Sequence, residues 1–96
     1  MGRVADFHIF SSVVLEHIKE YTIPQYGDSP GDEVDSWSAE QCVKAIQKYT
    51  KRHEACQRGR LELLRDLIKI AHFSAIAFWK MRPTAEEILK ITGGKT

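Results

Sequence analysis

The segment from Gly59 to Met81, GRLELLRDLIKIAHFSAIAFWKM, constrains the fold of this chain more than any other. Leu61, Leu64, Ile68, Ala71, Ala75 and Phe78 recur at helical spacing, and Leu63, Leu67, Ile70 and Ala77 form a second apolar row beside them. A polar stripe of Glu62, Arg65, Asp66, Lys69 and His72 accompanies the first half. Continued onward, that stripe meets Phe73 and Ile76 and is lost until Lys80. A helix that is half amphipathic and half apolar all round is not stable alone, so other segments are expected to cover it.

Three further helices are expected. In the first, Val4 to about Tyr21, the residues Phe7, Phe10, Val14, Ile18 and Tyr21 share one face, widened by Ile9 and Val13. Thr22 to Ser36 reads as one long acidic loop, with Pro24 and Pro30–Gly31 as turn signals and Asp28, Asp32, Glu33 and Asp35 as its charges. The second helix starts at a capping box, Ser38 with Gln41, and a hydrophobic staple, Trp37 with Cys42. Its expected core face is Cys42, Val43, Ile46, Tyr49 and His53, with Lys44, Lys48, Lys51 and Arg52 outward; it ends near Cys56, where Gly59 suits a left-handed turn. Pro83 stops the Gly59–Met81 helix. Thr84 and Glu87 cap a short fourth one, ended by Gly93–Gly94. The expected class is all-α: a single domain over residues 1–96, a compact bundle of three main helices plus a short C-terminal one.

Charge is unevenly spread although the net value is only +1. Residues 1–40 carry two basic side chains against eight acidic, and residues 41–96 carry twelve against five. The two parts are suited to dock on each other or on outside partners. Cys42 and Cys56 on one straight helix would lie ~21 Å apart, too far for a disulfide, so reduced thiols in a cytoplasmic protein are expected. The apolar run Ile70–Trp79 has ten residues and contains His72 and Ser74. A membrane span needs ~20.

Three sets of residues invite a chemical reading. Arg52, Arg58, Arg60 and Arg65 gather near a helix N-terminus and would suit a phosphate or an acidic partner. Glu62 and Asp66 lie one turn apart, as do Glu16 and Glu20; two such pairs facing each other would hold Mg²⁺. His53-x-x-Cys56 has zinc-ligand spacing but no second close pair to complete it. The basic second helix lacks the interleaved aromatic rings that single-stranded nucleic acid would use.

The run Arg65-Asp66-Leu67-Ile68-Lys69-Ile70-Ala71-His72-Phe73-Ser74-Ala75, with Tyr26-Gly27-Asp28 and the basic second helix, resembles the small all-α MazG-like and nucleotide-modification-associated proteins of bacteria and phages. Lys69 stands at the position of that family's second carboxylate. The resemblance implies a magnesium-dependent nucleotide pyrophosphohydrolase or a nucleotide-binding relative. The residues themselves point first to a helical interaction protein without catalytic activity of its own. Their apolar surface exceeds what one small core needs, and a two-fold homodimer is the expected way to bury it. Phe10, Val14, Phe73, Ile76 and Trp79 are the expected anchors.

Overall fold

The computed structural model describes residues 2–27, 33–55 and 58–93. Among these there is no strand. The helices are α1 (Arg3–His17), α2 (Ile23–Tyr26), α3 (Ala39–Ala55), α4 (Arg60–Lys80) and α5 (Ala85–Ile91). A π-helical turn, Ile18–Thr22, joins α1 to α2, and a 3-10 turn, Glu33–Ser36, precedes α3.

The first helical stretch therefore runs past Tyr21, and the expected loop from Thr22 is displaced. Pro24 has no N–H, and its ring collides with the carbonyl four residues back in a regular helix. The π turn relieves this by opening the ladder just upstream: Ile23 N–H donates to the Ile18 carbonyl, five residues back. The stretch ends at Gly27, whose φ of 92° needs no side chain to be accommodated. Residues 28–32 of the expected acidic loop lie outside those described.

Two capping boxes form as the sequence dictates. Ser38 N–H donates to Gln41 Oε1 at 2.8 Å, and Gln41 N–H donates to Ser38 Oγ at 3.1 Å. Thr84 and Glu87 repeat the exchange at 2.9 and 3.1 Å. Arg82, just before Pro83, takes φ 52°, a left-handed conformation that costs an ordinary residue about 1–2 kcal/mol.

α3 and α4 pack along their length, and α1 leans on α4. Trp37 and Tyr49 each stack on Phe73, at centroid distances of 6.0 and 5.8 Å. Farther along, Cys42 and Ala77 are buried. At the other end the His53 ring nitrogen Nδ1 lies 3.1 Å from the Leu63 carbonyl oxygen and bonds to it. Val43, expected in the core, is exposed, because the face that meets α4 runs through Cys42, Ile46, Tyr49 and His53.

The fold is open rather than compact. Cys42 and Ala77 are the buried apolar residues among those described. The radius of gyration is 15.0 Å, against ~12.5 Å for a compact chain of this length. The surface is 7650 Å², against about 5600 Å² expected for a folded 11.0 kDa monomer. α1 shows why. Phe10, Ser11, Val14, His17 and Ile18 are half-buried on one side, but Val4 and Phe7 are 79% and 67% exposed.

With so small a core, the α3 cap carries a measurable share of stability. Ser38→Ala should lower the unfolding free energy by about 1 kcal/mol, read as a lower urea midpoint at fixed protein concentration and unchanged slope.

Candidate functional site

A cleft of about 1620 Å³ opens between several of these elements. One wall is the π turn with α2; the others are the 3-10 turn with Trp37, and the side of α4 carrying Glu62, Arg65, Lys69, Phe73 and Ile76. Small-molecule pockets usually span ~300–1,000 Å³, so this space suits an occupant the size of a peptide helix.

Among its described lining residues the cleft is predominantly basic. Lys48, Arg58, Arg65, Lys69, Lys80 and Arg82 line it against Asp35 and Glu62. Lys80 Nζ donates to the Asp35 carbonyl at 3.0 Å, which ties the 3-10 turn to the end of α4. Lys69 Nζ lies 5.3 Å from the Tyr49 ring centroid, and the Arg52 guanidinium is equally close to that ring. Such contacts stabilise by about 0.5–1 kcal/mol at exposed sites and hold the cation in place. Tyr49 is the ring that α3 itself sets among its cations. Across the cleft, Tyr21, Trp37, Phe73 and Trp79 stand among the cations.

The predicted arginine cluster is divided. Arg58 and Arg65 both bond to Glu62, one through Oε2 at 2.6 Å and the other through Oε1. The hydrogen bond from Arg65, followed by the charge of Arg58, holds the Glu62 carboxyl below its ordinary range. Arg52 is turned to Tyr49, and Arg60 is exposed.

Asp66 departs most from its expected place. Periodicity puts it on the polar stripe, yet it is 1% exposed, and its Oδ1 has no hydrogen-bond partner among the described residues. Asp66, Ile70, Phe73 and Ala77 follow one another at spacings of four, three and four, so Asp66 belongs to the row that continues into Phe73 and Ala77. The magnesium set is not assembled: Glu62 is held by two arginines, Asp66 is buried, and Glu16 and Glu20 are exposed on the first helical stretch. No group of three or more His, Cys, Asp or Glu side chains able to hold a metal ion occurs among the described residues. Cys56 of the zinc-spaced pair lies outside them.

The expected anchors divide by environment. Phe10 and Val14 are half-buried toward α4, Phe73 is held in its ring stack, and Ile76 lines the cleft half-buried. Trp79 is 63% exposed at the cleft edge, its ring set edge-on to Phe78 at 5.1 Å.

Two titratable groups are shifted by burial. Burial pushes the Cys42 thiol up, with Lys80 opposing, so it remains a protonated core group. His17 closes α1 with its ring stacked on Tyr21 at 5.4 Å and its buried Nδ1 without a hydrogen-bond partner. Burial first, then Lys69 and Arg65, hold His17 below its ordinary pKa.

No protein-family model, curated protein or solved structure matches this chain.

The His17 shift has a direction in pH. The unfolded chain binds a proton near pH 6.5 while the folded chain still resists it. Stability from the neutral ring is complete above that pH and declines as pH falls below it toward the lowered folded value. Urea midpoints measured at about pH 7.5 and about pH 5.5 should fall farther for the native chain than for His17→Gln.

Proposed function

We propose that this chain is a small helical interaction protein that works as a homo-oligomer, most simply a two-fold dimer, without catalytic activity of its own. The surface excess carries this reading. About 2000 Å² beyond that of a compact monomer is the area each copy gives up in a large obligate interface. The exposed apolar side chains fall on elements with little cover: Val4, Phe7, Ile9 and Val13 on α1, and Trp79, Met81 and Ile91 at the C-terminal end. Within the bundle, three main helices and a short fourth would form each protomer. Among the described residues no helix is long and apolar enough to cross a membrane, and the buried, unpaired Cys42 suits a cytoplasmic setting.

Native protein at high micromolar concentration should scatter light as a dimer or larger. Ile76→Glu, which introduces a charge on the cleft wall, should shift it to monomer, with the helical circular dichroism of α3 and α4 retained. A native monomer at that concentration would sink the proposal.

The cleft supports a second reading, a nucleotide-binding relative that takes Mg²⁺ with its ligand, because cations and aromatic rings share one concavity. Thermal unfolding with nucleoside triphosphates, with and without Mg²⁺, tests it. A ligand at 100 times its dissociation constant stabilises by ~2.7 kcal/mol and raises the melting temperature by roughly 10–20 °C. No shift with any nucleoside triphosphate, and no pyrophosphate released, would exclude this reading.

A further inference from the structure

The outward side of the first helical stretch has a pattern that its own chain does not use. Asp6, Ile9, Val13, Glu16 and Glu20 follow at spacings of three, four, three and four residues, and all five are exposed. This is the seam spacing by which one helix lies along a partner. Its two apolar residues are flanked only by carboxylates. Arg3 and Lys19, the cations of the same stretch, are both set apart from the centre of the seam at Ile9 and Val13.

The cleft is the complement of that seam. Ala75, Ile76 and Trp79 offer apolar side chains along its wall and edge, and Lys69, Lys80 and Arg82 are among the cations that, counted over the described lining residues, outnumber the carboxylates six to two. Its volume of about 1620 Å³ matches a helical cylinder ~10 Å across and ~20 Å long, three to four turns. Asp6 to Glu20 spans ~21 Å as a helix. Of its own α1 only the last residue, His17, lines the cleft, so the body of that helix does not fill it.

From this complementarity we infer that the cleft of each protomer receives the Asp6–Glu20 seam of a second copy, reciprocally, about a two-fold axis. The inference rests on the self-association proposed above and specifies its geometry. Both junctions of such a dimer are identical, as two-fold pairing requires. Each joins three carboxylates to a basic cleft and buries Ile9 and Val13 of one copy beside Ile76 and Trp79 of the other.

Reciprocal charge reversal tests this arrangement. One chain carries Glu16→Lys with Glu20→Lys, and the other carries Lys48→Glu, Lys69→Glu and Arg82→Glu, which turns six cations against two carboxylates into three against five among the described lining residues. Each alone sets like charges together and should raise the dimer dissociation constant roughly tenfold in sedimentation equilibrium. In an equal mixture, one junction of the heterodimer joins the two reversed surfaces and the other joins the two native ones. Both again pair opposite charges, so the mixture should recover native affinity. Failure of the mixture to recover, or a reversed-helix chain that dimerises normally, overturns the inference while leaving self-association standing. A native chain that is monomeric overturns both. If a reversed chain loses its helical circular dichroism, a benzophenone side chain at exposed Val13 decides between the arrangements in otherwise native protein. Crosslinks from an isotope-labelled copy to the Ile76–Trp79 segment of an unlabelled one support the reciprocal dimer, and crosslinks between copies only at other places overturn it.

Discussion

The placement of Phe73 against both Trp37 and Tyr49 is the contact on which the rest of the structure depends. The three rings come from the turn before α3, from α3 and from α4, so one stack fixes the connection and both helices. Each aromatic pair contributes about 0.5–1.5 kcal/mol beyond its buried area. The fully buried apolar side chains of the seam, Cys42 and Ala77, are small, and their burial stabilises little. A change at Phe73 therefore acts on the fold itself, whereas changes at Ile76 and Trp79 act on the cleft that the fold presents.

Against that seam, the hold of α4 on α1 is weak in kind. Its half-buried face includes Ser11 and His17 among Phe10, Val14 and Ile18, and the His17 Nδ1 is buried with no hydrogen-bond partner. Asp66 is unsatisfied in the same way, at Oδ1. A buried polar atom without a partner costs about 1–3 kcal/mol, a large share of the stability of a chain with so little interior. Both costs disappear if the groups find partners, and both lie on α1 and α4, two elements that also carry much of the exposed apolar surface.

Local features are legible in the sequence because local chemistry decides them. The Ser38–Gln41 and Thr84–Glu87 boxes form within three residues, and no tertiary contact competes with them. The 21-residue helix from Arg60 to Lys80 follows from periodicity and Pro83. What periodicity cannot decide is which of two adjacent rows meets a neighbour. Polarity places Asp66 on the wet stripe, yet its row packs inward. The loss of polarity at Phe73 is legible, but its cause lies in Trp37 and Tyr49, thirty-six and twenty-four residues upstream. Pro24 misleads for a different reason: a proline ends a regular helix, and only the wider turn at Ile18–Thr22 lets this one continue. The cleft is illegible because its charge and rings are collected from segments far apart in sequence.

That wider turn has a mechanical meaning. A π turn is a helix holding one surplus residue, and each one-residue step of the surplus rotates the helix it passes through by ~100°. Pro24 bars the step toward α2, since the ring tolerates the helix only with the opening just before it. The side that α1 turns to the outside is therefore set by where along the chain that single residue is stored.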